Sequence, residues 1–86
     1  MTRDEVFVVI KANMQTIIPG VDGKEILETH SMRDFGADSL QIVEVVSRSM
    51  KQSRIKVPRT ALLGAKNLGD LLDLFEKAAS KATLPT

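Results

Sequence analysis

The sequence predicts a small all-α protein, a bundle running helix, long loop, helix, short turn, helix. Three observations carry that expectation. Apolar residues recur at three- and four-residue intervals in separate segments, as one buried helix face requires. Those segments open on residues suited to cap a helix: Thr2, Asp38 and Asn67. Between them Pro19-Gly20, Pro58 and Gly64 interrupt the chain. At 86 residues the chain makes one domain, and a chain this short buries only about 60% of its extended surface, so its elements must share a single core.

The first helix is expected over about residues 3–18. Thr2-Arg3-Asp4-Glu5 has the form of a capping box, with Thr2 as N-cap and Glu5 reaching back to its amide. Phe7, Ile10, Met14 and Ile17 make its apolar stripe, and Pro19-Gly20 stops it. Residues 19–37 read as a long connection, punctuated by Gly20, Gly23 and Gly36 and pinned to the core by Val21, Ile26, Leu27, Met32 and Phe35. A short helical turn is expected near Lys24–Thr29.

The second helix is expected from about Asp38 to Ser53. Ile42, Val45, Val46 and Ser49 form one stripe; Val43, Val46 and Met50 form its neighbour. The valines would suit a strand by propensity, but the segment's length and 3.6-residue period require a helix. Glu44, Arg48 and Lys51 lie on a polar face, in the favourable Glu-before-Arg order. Ile55-Lys56-Val57-Pro58 is an extended link, because a proline disfavours a helical residue before it. Arg59–Leu63 forms a short turn closed by Gly64. Asn67 caps the last helix, whose apolar face is Leu68, Leu71, Leu72 and Phe75. Asp70 and Asp73 lie early in it and Lys77 and Lys81 late, where the helix dipole favours each sign. The domain is assigned to residues 1–81, with 82–86 a frayed tail.

Composition excludes several classes. There is no cysteine, hence no disulfide framework, thiolate nucleophile or Cys-based metal site, and the one histidine, His30, makes no His-rich site. His30 reads as a loop residue, and Met14, Met32 and Met50 as packing residues. No apolar run spans a bilayer, and Met1-Thr2-Arg3-Asp4-Glu5 lacks the features of a signal peptide. A cytoplasmic protein that meets no membrane is the expectation. Net charge is +1 but unevenly spread: acids dominate from Asp22 to Glu44, and bases from Arg48 to Arg59. Such asymmetry concerns partner surfaces rather than the fold.

Ser39 is the residue on which function turns. It lies in Asp34-Phe35-Gly36-Ala37-Asp38-Ser39-Leu40, at the positive end of the second helix, where a phosphate would be favoured. With no histidine base beside it, the serine reads as a group to be modified rather than a nucleophile that turns over. The stretch resembles the modification site of acyl carrier proteins, D/L-G-x-D/N-S-L/I, at Asp34, Gly36, Asp38, Ser39 and Leu40. The resemblance extends over residues 3–80 and implies a four-helix carrier bundle with a long first loop and a short third helix. It implies that Ser39 carries 4'-phosphopantetheine, transferred from coenzyme A by a magnesium-dependent phosphopantetheinyl transferase. It also implies that Asp38 is read by that transferase and that Leu40 is a surface docking contact. The carrier itself needs no catalytic group.

A second block, Val57-Pro58-Arg59 with Leu62 to Phe75, is similar to discrete donor carriers of polyketide β-branching cassettes, which read V/I-P-x-x-x-L-x-G-A-K-N-I/L-G-x-L-x-D-x-F. That resemblance implies malonyl and acetyl cargo. It implies as partners an acyltransferase, a decarboxylating ketosynthase-like enzyme and a 3-hydroxy-3-methylglutaryl (HMG-CoA) synthase-like enzyme, met by a monomeric carrier. The second helix departs from the acidic helix of many carriers. Gln41 stands in place of an acid and Arg48, Lys51 and Arg54 make the far end basic, so docking is expected to use Leu40 and Val43, with Glu44, Arg48 and Lys51 selecting partners. Ser53 replaces a bulky apolar residue, which predicts looser packing there.

Peptidyl, aryl and fatty-acid carriers share the general plan and are the nearest alternatives. From a different class come an unmodified helical protein-interaction domain, for which Asp38-Ser39 is only a cap, and a nucleic-acid-binding domain using the basic run. Near-zero net charge, three phenylalanines and no tyrosine or tryptophan for stacking argue against nucleic acid.

Overall fold

The computed structural model describes residues 2–21 and 23–83, with side chains as far as Ala79. Four helices follow in order: α1 (Arg3–Ile17), α2 (Ser39–Ser53), α3 (Arg59–Leu62) and α4 (Leu68–Thr83). Two single 3-10 turns, Pro19–Val21 and Met32–Phe35, lie in the long loop. No strand occurs among the described residues. α4 thus continues through 82 and 83, two residues expected in the tail, while 84–86 lie outside the described residues.

α1 starts as its sequence requires. Thr2 Oγ accepts the Glu5 N–H and the Thr2 N–H donates to Glu5 Oε1 at 2.9 Å, a complete capping box. Its buried stripe differs from the expectation. Val6, Ile10, Asn13 and Met14 are buried, whereas Phe7 and Ile17 are only half-buried. The reason is that α1 packs on both α2 and α4, so the seam between those helices selects its innermost side. Asn13 is tolerated there because its amide donates to Ser49 Oγ at 3.1 Å and to Gln52 Oε1 at 2.9 Å, both on α2.

The long loop is held by Val21, Ile26, Met32 and Phe35, all buried, but not by Leu27, which is exposed. The helical turn expected near Lys24–Thr29 does not form. Residues 24–27 are irregular, and the carbonyls of Glu28 and His30 instead accept the first amides of α4, from Gly69 at 2.8 Å and Leu68 at 2.9 Å. The turn forms at Met32–Phe35, where Ser31 and Asp34 cap each other reciprocally. Gly20 lets the loop close on itself: a Cβ there would stand 2.6 Å from the Phe35 carbonyl oxygen.

α2 ends at Arg54, whose φ of 58° makes it the one non-glycine residue in the left-handed region among those described. Ser53 Oγ donates to the Ser49 carbonyl at 2.7 Å, a local bond in place of the bulky side chain expected there. α3 carries no buried residue. α4 is capped by Asn67, whose Oδ1 accepts the Asp70 N–H at 2.8 Å, and it buries Leu68, Leu71, Leu72 and Phe75 as its spacing predicts. The core therefore lies where α1, α2, α4 and the loop anchors meet, leaving the N-terminal end of α2 at the surface.

Candidate functional site at the start of the second helix

Three local devices place Ser39. The Met32–Phe35 turn ends at Gly36, whose φ of 86° reverses the chain, and the amides of Gly36 and Ala37 donate back to Arg33 and Met32 carbonyls. Any side chain at Gly36 would be strained in that conformation. Ala37 is buried and anchors the approach. Asp38 then caps α2: its Oδ1 accepts the Gln41 N–H at 2.8 Å while its own N–H donates to Gln41 Oε1 at 2.9 Å. Gln41, expected only as the loss of an acid, is thus the second half of a capping box, a signal legible in the D-x-x-Q spacing.

Ser39 is the first residue of α2, and its side chain is exposed. An Arg33 Nη2 donates to Ser39 Oγ at 3.1 Å. Arg33 itself is exposed and makes no ion pair among the described residues. Sequence reasoning missed it, since an i, i+6 pair across a glycine turn belongs to no periodic pattern. His30 is not directed to the serine. Its Nδ1 accepts the Leu27 N–H at 3.1 Å and its ring meets Phe35 edge-on at 5.3 Å.

Beyond Ser39, the helix carries the remaining predicted surface residues along one side, spaced at i, i+3 and i+4 steps. Leu40 is 82% exposed and Val43 48%. Glu44 and Arg48 form an i, i+4 pair at 3.8 Å; Lys51 is exposed and joins no ion pair among the described residues. Leu63, on the turn after α3, is also 82% exposed, a bare leucine that sequence reasoning placed in the turn and in the Leu62 to Phe75 block but not among the docking residues. No group of three or more acidic or histidine side chains suited to a metal occurs among the described residues.

The model of the phosphopantetheine attachment site family matches residues 14–75, which takes in the whole of this arrangement. The chain belongs to that family. This carrier is 30% identical over 81 residues to the polyketide biosynthesis acyl-carrier-protein AcpK of Bacillus subtilis (strain 168), covering 93% of its own length and 99% of the relative. It also superposes, with a TM-score of 0.78 and 34% identity, on a chain of the crystal structure of the curacin biosynthetic pathway HMG synthase in complex with acetyl donor-ACP, covering 92% of itself and 99% of that chain. The carrier's cofactor is a covalently attached 4'-phosphopantetheine. The residues present fit such a group: an open hydroxyl, a guanidinium within hydrogen-bonding distance and a helix N-terminus all favour a phosphodiester. When bound, the group supplies a thiol on a flexible arm.

Proposed function

We propose that the protein is an acyl carrier that holds malonyl and acetyl groups as thioesters on a 4'-phosphopantetheine arm at Ser39 and donates them in polyketide β-branching. The observation that carries this reading is the exposed Ser39 hydroxyl at the first position of α2, inside the one segment with the family's modification pattern. A phosphopantetheinyl transferase joins Ser39 Oγ to the phosphorus of coenzyme A proximal to the pantetheine. Adenosine 3',5'-bisphosphate leaves, and the serine proton passes to solvent through the transferase. The carrier is a shuttle and performs no chemistry of its own; the reactions belong to an acyltransferase, a decarboxylating ketosynthase-like enzyme and an HMG-CoA synthase-like enzyme. Likeness to an acetyl donor found with an HMG synthase supports the donor role. Dependence on coenzyme A supports a cytoplasmic location, and no helix among the described residues is long and apolar enough to cross a membrane. The carrier domain runs to the end of α4 at Thr83.

Asp38, Leu40, Val43, Glu44, Arg48 and Lys51 present the docking side to these enzymes. The decisive measurement is intact mass after incubation with a broad-specificity transferase, magnesium and coenzyme A. One phosphopantetheinyl increment is expected on the wild type and none on Ser39→Ala. An unchanged wild-type mass, or an increment on the variant, overturns the assignment. For the donor role, the malonyl-loaded carrier is offered first to the decarboxylating enzyme and then to the synthase. Refusal at that stage with loading intact leaves a carrier of another pathway.

A further inference from the structure

We infer that Arg33 is the residue that receives the phosphodiester once Ser39 is modified, pairing its guanidinium with the phosphate and so fixing the root of the arm. This rests on Ser39 being the attachment point. Arg33 already donates to the Ser39 Oγ at 3.1 Å, and that oxygen becomes the bridging oxygen of the phosphodiester. The two non-bridging oxygens, which share the negative charge, then lie two bonds beyond it on the phosphorus, within reach of a planar fork of N–H donors.

The backbone that carries Arg33 is a hydrogen-bonded 3-10 turn with a reciprocal cap. Ser31 N–H donates to Asp34 Oδ2 at 2.8 Å, and the Arg33 carbonyl itself accepts the Gly36 N–H at 3.0 Å. The neighbouring acids are occupied elsewhere. Asp34 faces the Ser31 amide and Asp38 the Gln41 amide; neither forms an ion pair with Arg33, and both would repel a new anion on Ser39. Among the described residues Arg33 has no ion-pair partner, and the phosphodiester supplies one. A lysine would supply charge without the two-pronged geometry.

The pairing joins opposite charges at the protein surface and is therefore sensitive to salt. NMR of the intact carrier before and after modification tests it, with modification verified by mass. The Arg33 side-chain N–H signals are expected to shift on modification at low salt, and the shift is expected to shrink near 1 M salt, where the Debye length falls to about 3 Å. The phosphorus resonance is expected to move in Arg33→Ala and to a lesser degree in Arg33→Lys. Arg33 is exposed, so both variants should keep the wild-type circular dichroism.

A modified wild type whose Arg33 signals do not move overturns this inference and leaves Ser39 as the attachment point. A wild type that gains no mass overturns both. Should Arg33→Ala resist the transferase, the wild-type arginine signals alone decide the matter.

Discussion

Gly36 shows how one residue can set the position of another. Its φ of 86° swings the chain from the 3-10 turn into α2, and no Cβ contact stands in the way, so the requirement is purely conformational. Gly36→Ala is expected to cost about 1–2 kcal/mol, the strain of a left-handed backbone with a side chain, read as a lower denaturation midpoint. Asn13 makes the opposite case, a polar side chain in the core. Asn13→Ala removes two hydrogen bonds to α2 but leaves Ser49 Oγ its bond to the Val45 carbonyl at 2.8 Å. A loss of about 1–3 kcal/mol is expected in urea unfolding. Gly36 was legible in the sequence because a motif required it. Asn13 was not, because burying an amide is allowed only when a partner waits on another helix, and no local pattern reports that.

At the scale of elements, the ends of the helices carry the charge chemistry. The Thr2 amide, and after it the Thr2 hydroxyl, hold the Glu5 carboxyl below its ordinary value of 4.5. A lowered folded-state pKa means that this contribution to stability is fully present above pH 4.5 and is lost as pH falls through the lower folded value. Glu5→Gln is therefore expected to give a flatter dependence of melting temperature on pH below that point. Arg3 joins three elements: its guanidinium meets Glu28 in the loop and Asp73 and Glu76 on α4, each at 2.6 Å. These hydrogen bonds, Glu28 foremost, raise an already high arginine pKa, so the junction responds to salt through Arg3 rather than to Arg3 deprotonation. The groups are partly exposed and screened, and Arg3→Ala is expected to cost about 1 kcal/mol at low salt and less at 1 M, by denaturant midpoint.

Across the whole molecule, apolar residues divide into hidden and bare ones, and the two kinds predict different effects of substitution. Phe75 is fully buried against the shared core, and Phe75→Ala is expected to cost about 3–5 kcal/mol, a large share of the stability of a domain this small. Leu40 projects into solvent, so Leu40→Ala should leave the melting temperature nearly unchanged while lowering the rate at which partner enzymes accept the loaded carrier. By itself the sequence determined the helices, their caps, the apolar face of α4 and the serine at the head of α2, because periodicity, capping and turn chemistry act over a few residues. The tertiary structure alone decided which side of α1 is innermost, that the loop spends its carbonyls on α4, that Arg3 ties three elements together and that Arg33 reaches Ser39. Those facts depend on chain segments meeting in space, and no spacing along the chain encodes that meeting.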